Sequence, residues 1–67
     1  MKPLTEYIAR EQTTQAALAQ RLGVHPSMLS LILSGSRQPG IALTKKIEAV
    51  TGIPRRDLRP DIFGDAQ

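Results

Sequence analysis

Apolar residues recur at helical spacing through most of this chain, and short Gly, Pro or polar stretches divide them into segments. Leu4, Tyr7 and Ile8, with Glu11, fall on one face of a helix predicted over 3–11. Pro3 suits its first turn, where the missing N–H loses nothing. Glu11, Gln12 and Thr13 make a short polar connection. A second helix begins after Thr13 or Thr14, since either hydroxyl can accept a free backbone N–H at a helix start. It runs from Gln15 to Leu22, with Leu18 and Leu22 stacked and Ala19 beside them, small enough for another helix to approach. Gly23 ends it, because glycine takes positive φ at little steric cost.

A third helix starts near Pro26 and stops at Gly35. Leu29, Ile32 and Leu33 form its core-facing stripe. Ser27, Ser30, Leu31 and Ser34 form the opposite one, narrow, small and mostly polar. Residues 35–40 read as a loop. A fourth helix follows from about Ile41 to Thr51, with Leu43, Ile47 and Val50 inward and Lys45, Lys46 and Glu48 outward; Gly52 and Pro54 end it. Pro54 to Leu58 form one more turn. Residues 60–63 are expected to be extended, on the ground that proline restricts its neighbour.

Two short helices joined at Gly23, with Ala19 four residues before it and Leu18, Leu22, Val24, Leu29 and Ile32 around them, have the spacing of a helix-turn-helix. The second helix of such a pair can enter a DNA major groove.

The chain has 67 residues, enough for one small domain, and 40% of them are hydrophobic, which suits a folded globule. Its two aromatics, Tyr7 and Phe63, leave the core to aliphatic side chains and favour an all-α fold of four to five helices. One domain is expected over 1–63, with a frayed tail over 64–67. With no cysteine there is neither a disulfide nor a cysteine-based zinc site. No apolar run approaches the roughly 18 residues of a membrane span, and the first residues carry acids rather than the long apolar block of a secretory signal. A cytoplasmic protein without membrane attachment is the expectation.

Net charge is +3, and the cations gather late: Arg37, Lys45, Lys46, Arg55, Arg56 and Arg59 stand against Glu48 and Asp57 between Gly35 and Pro60. Alone this describes a solvated surface; beside a helix-turn-helix it suggests attraction to phosphate. Nothing points to catalysis, to a cofactor or to a small-molecule substrate. There is no cysteine nucleophile, no phosphate-cradling glycine loop and no pair of carboxylates in an apolar setting.

The segments QAALAQRLGV and SGSRQP, with a short helix between them, and KIEAVTGIPRRDLRPDIFG, cover most of Thr13 to Gly64. With them the chain resembles the Cro-type phage repressors and the related YdaS-type antitoxins, a lambda-repressor-like helix-turn-helix family. The L-R-P-D-I-F run in the last segment has no generic helical or turn rationale. The resemblance implies a domain of about five helices that binds operator DNA. Gln15 would touch phosphate at the start of the second helix, Ser27, Ser30, Leu31 and Ser34 would face the groove, and Arg37 would clamp a flanking phosphate.

Other residues remain open between two roles. His25 stands where the family often has serine or threonine, and reads either as a helix-start residue near phosphate or as an exposed turn residue; no second ligand makes it a metal site. Met28 and Leu31 read as groove contacts or as the edge of the core. Ser36 and Lys45 join the candidate DNA contacts, though a lysine on a helix surface is commonplace. Arg55, Arg56 and Arg59 reach DNA or serve solubility. Ile53, Leu58, Ile62 and Phe63 close the core or meet a second subunit.

The third helix has no Arg, Lys, Asn or Gln between Pro26 and Ser34, the types that read guanine or adenine bidentately. Selectivity would come from Leu31 or Met28 on thymine methyls, from adaptable serine contacts and from DNA shape. The expectation is a sequence-specific regulator, a repressor of Cro type acting by operator occupancy. It would work as a homodimer with recognition helices about 34 Å apart. An antitoxin holding a toxin chain, or a helix-turn-helix used only for protein association, are the alternatives.

Overall fold

A computed structural model describes residues 1–64. Among them are six helices: α1 Lys2–Glu11, α2 Gln15–Leu22, α3 Pro26–Ser34, α4 Ile41–Thr51, α5 Arg55–Leu58 and α6 Pro60–Phe63. The last two are single turns, and α6 adds one helix to the four or five expected.

The first three joints share one chemistry. At the end of α2, Gly23 takes φ 74°, its N–H donates to Gln20 and that of Val24 to Ala19, so the free carbonyls of the last turn are satisfied. Gly35 repeats the pattern at the end of α3, with Ser36 N–H donating to Leu31. At the end of α1 the same pair of bonds forms around Gln12, a residue with a side chain held at φ 54°. That conformation crowds a Cβ and costs about 1–2 kcal/mol. Of the two threonines that could start α2, Thr14 does so: its Oγ1 accepts from Ala17 N–H at 3.1 Å.

The core lies where the helical stripes meet. Leu4, Tyr7, Leu18, Ala19, Leu22, Leu29, Ile32 and Ile47 are buried, and Ile53 and Leu58 close the lower end. Ala19 has no exposed surface, which lets α3 cross close over α2. Leu43 and Val50, expected inside, are half-buried, while Thr44 is fully buried. The Thr44 hydroxyl donates to the Gly40 carbonyl at 2.7 Å, which removes most of the cost of burying it.

Residues 60–63 correct the sequence expectation. They form a helical turn, not an extended run. Proline restricts the residue before it, and Arg59 indeed has φ −136° and ψ 73°; Pro60 itself suits the first position of a helix. Ile62 is 42% exposed and Phe63 half-buried, its ring under the Arg55 guanidinium at 5.5 Å. Gly64 ends the turn, its N–H donating to Pro60. The rest of the expected frayed tail lies outside the described residues.

Candidate nucleic-acid interface

Helix α3 is held between two Gly elbows and buries Leu29 and Ile32 against the other helices. By helical geometry the opposite stripe must then face outward, and Ser27, Ser30, Leu31 and Ser34 are all exposed. Leu31 keeps 45% of its surface in water, comparable with Ile41 and Ile62 elsewhere on the surface. Met28 is half-buried and packs against the core, so it sits at the rim rather than on the crest.

At the N-terminal end of α3, His25 is the cap. Its Nδ1 accepts the Ser27 N–H at 3.1 Å and lies 2.7 Å from Ser27 Oγ. The tautomer that fits this cap leaves Nδ1 without a proton and carries the ring N–H at Nε2. Nδ1 is occupied, and Nε2–H is left for an outside acceptor. The Ser30 hydroxyl has no partner among the described residues.

The C-terminal end of α3 is organised by one oxygen. The Leu31 carbonyl accepts from Ser34 Oγ at 3.0 Å, Ser36 N–H at 3.0 Å and Arg37 N–H at 3.2 Å. Ser34 and Ser36 hydroxyls also lie 3.0 Å apart. Ser34, Ser36 and Arg37 therefore form one tied corner just past the helix. The Arg37 side chain is exposed and has no ion pair among the described residues.

The remaining candidates are more scattered. Gln15, the first residue of α2, is exposed beside its N-terminal N–H groups, where partial positive charge favours an anion. Lys45 is exposed on α4, and its side chain makes no hydrogen bond among the described residues. The Lys46 ammonium lies at the α2 elbow: a Cβ added to Gly23 would sit 3.4 Å from its Nζ.

The arginines that the sequence left open divide sharply. Arg55 Nε donates to Glu48 at 2.8 Å, and Arg59 donates through Nε and Nη2 to both oxygens of Asp61 at 2.9 and 2.6 Å. The hydrogen bond from Arg59, with its charge adding less, holds the Asp61 carboxyl below the ordinary carboxylate range; partial burial opposes it. Arg10 pairs with Glu11. Arg37, Lys45, Lys46 and Arg56 make no ion pair among the described residues. Sequence reasoning missed the inward turn of Arg59 and the burial of Thr44, since neither has a spacing signal. Among the described residues no group of three His, Cys, Asp or Glu side chains is placed to hold a metal ion. No helix among them is long and apolar enough to cross a membrane.

An exposed helix with small polar side chains, set on a glycine elbow and followed by a free arginine, is the arrangement of a helix-turn-helix. The sequence pattern of the helix-turn-helix family matches residues 6–58. The chain belongs to that family, of the Cro and phage-repressor kind, and is a DNA-binding transcription regulator. Among its relatives is the Gene 30 protein of Enterobacteria phage phi80. It is 33% identical over 61 residues, a span of 91% of this chain and 84% of that protein. No solved structure matches the chain. The family is one of DNA-binding regulators and is in general non-enzymatic.

Proposed function

We propose that this protein is a Cro-like repressor in the cytoplasm, which acts by occupying operator DNA and so blocking polymerase or a competing regulator. The observation that carries the reading is the exposed stripe of α3 with Arg37 tied to its end through the Leu31 carbonyl. In this account α3 enters the major groove. Ser27, Ser30, Leu31 and Ser34 meet base edges, with Leu31 on a thymine methyl. Arg37 and Ser36 meet the flanking backbone, while Gln15, His25 and Lys45 add phosphate contacts and Met28 touches the groove rim. Two copies bind a two-fold operator, with recognition helices about 34 Å apart.

A salt titration of duplex binding tests the reading. Log affinity should fall linearly with log salt, with a slope set by the number of phosphates neutralised. Affinity unchanged by salt would contradict it. The exposed Leu31, on a helix without bidentate base readers, favours one second reading, a surface for protein association. An apolar contact of that kind would hold at high salt.

A further inference from the structure

Arg59 is a charged side chain that the fold turns inward: only 15% of its side-chain surface is exposed. Two of its nitrogens grip Asp61 across Pro60. The third, Nη1, donates to the Pro39 carbonyl at 2.5 Å, 20 residues back in the chain. Pro39 is fully buried, and its carbonyl also lies 3.4 Å from Thr44 Oγ1. The loop after α3 is thus pinned at both ends. The Leu31 carbonyl holds Ser36 and Arg37 at one end, and Arg59 holds Pro39 at the other. Arg37 belongs to the first end by its N–H, and only Gln38 separates it from Pro39 at the second.

A guanidinium gripped by a carboxylate through two parallel N–H groups along one edge has its plane fixed, so the Nη1 group on its far side is aimed rather than free to wander. A lysine would keep the charge and lose the fork. If the far end of so short a loop is released, Arg37 samples more conformers and must be ordered at the moment of binding, which weakens the contact.

We propose that Arg59 is a positioning residue for DNA binding: locked by Asp61, it holds the Pro39 end of the loop and thereby sets where Arg37 meets phosphate. This rests on the reading of Arg37 as a phosphate contact. It also gives the L-R-P-D-I-F run a physical task, since the arginine, the proline turn and the aspartate together make the clasp.

The test compares the wild type with Asp61→Asn, Arg59→Lys and Arg59→Gln, each with Arg37 present and in an Arg37→Ala background. Binding is measured to a short random-sequence duplex, at a temperature where circular dichroism shows every variant folded. Asp61→Asn keeps the shape of an exposed side chain, so it remains informative if an Arg59 variant fails to fold. With Arg37 present, each clasp variant should lose about threefold or more in affinity; with Arg37→Ala, the same changes should cost little, because coupled residues do not act additively. Equal losses in both backgrounds would overturn the proposal. So would a lowered melting temperature with no loss of affinity in either, the mark of a purely structural role. If Arg59→Gln lowers the salt slope by about one in both backgrounds, Arg59 touches phosphate itself and the proposal also fails. An Arg37→Ala change that costs no affinity is a separate result: it removes the Arg37 reading, and positioning with it.

Discussion

The Arg37 N–H donates to the Leu31 carbonyl at 3.2 Å, so an exposed apolar side chain on α3 and an exposed cation beyond it are joined through a single peptide group. The two side chains have different chemistry. Leu31 can distinguish bases only through apolar contact, whereas Arg37 attracts phosphate whatever the sequence. Their consequences on DNA should therefore separate.

Arg37→Ala should weaken binding to every duplex by a similar factor and reduce the salt slope by about one. Binding measured at several salt concentrations, on operator and random DNA alike, checks this. An effect confined to one sequence would assign Arg37 to base reading instead.

Leu31→Ala and Ser30→Ala should behave in the opposite way. Each should alter the order of preference among sequences while leaving random-duplex affinity nearly unchanged. A lost thymine-methyl or hydroxyl contact costs about 1–3 kcal/mol at the matched base pair. Competition between matched and altered operators measures it, and an equal loss on all sequences would place both residues outside base readout.

The helix joints make a paired prediction about stability. Gly23→Ala forces a side chain into positive φ and should destabilise by about 1 kcal/mol. The neighbour at 3.4 Å is the mobile end of Lys46, so backbone conformation rather than a clash sets the cost. Gln12→Gly relieves the same conformation and should stabilise by up to about 1 kcal/mol, because the left-handed position suits glycine. Urea midpoints give both values, and a destabilised Gln12→Gly would show that the Gln12 side chain makes a contribution of its own.

Acid should loosen the clasp at the C-terminal turn. The Asp61 carboxyl is held below its ordinary range chiefly by the hydrogen bond from Arg59. A group whose folded pKa is depressed adds stability above the unfolded value and loses it as pH falls through the folded value. The stability difference between wild type and Asp61→Asn should therefore be constant near neutrality, then shrink as pH drops below the ordinary carboxylate range. Urea denaturation across that interval checks the sign; a difference that grew in acid would contradict the assignment.

Much of this architecture was readable beforehand because glycines sit where helices must stop: Gly23, Gly35 and Gly52 have φ 74°, 84° and 79°. The outward stripe of α3 followed from periodicity alone. Gln12 was not readable as a left-handed cap, since nothing local distinguishes it from any polar linker residue. Thr44 falls beside the apolar stripe of α4, and the Gly40 carbonyl, with that of Pro39 farther off, makes its burial cheap. The turn at residues 60–63 is not legible from Pro60, because the restriction a proline imposes acts backward on Arg59 and leaves the residues after it free to turn. The clasp itself depends on a carbonyl far away in the chain, which no local pattern reveals.

Selection of bound duplexes from a random DNA pool tests the central claim most directly. The account predicts enrichment of an inverted repeat whose half-sites lie about one helical turn apart, as two copies of α3 on one face of DNA require. Enrichment of no sequence at all, by protein that is folded and binds at low salt, would contradict it.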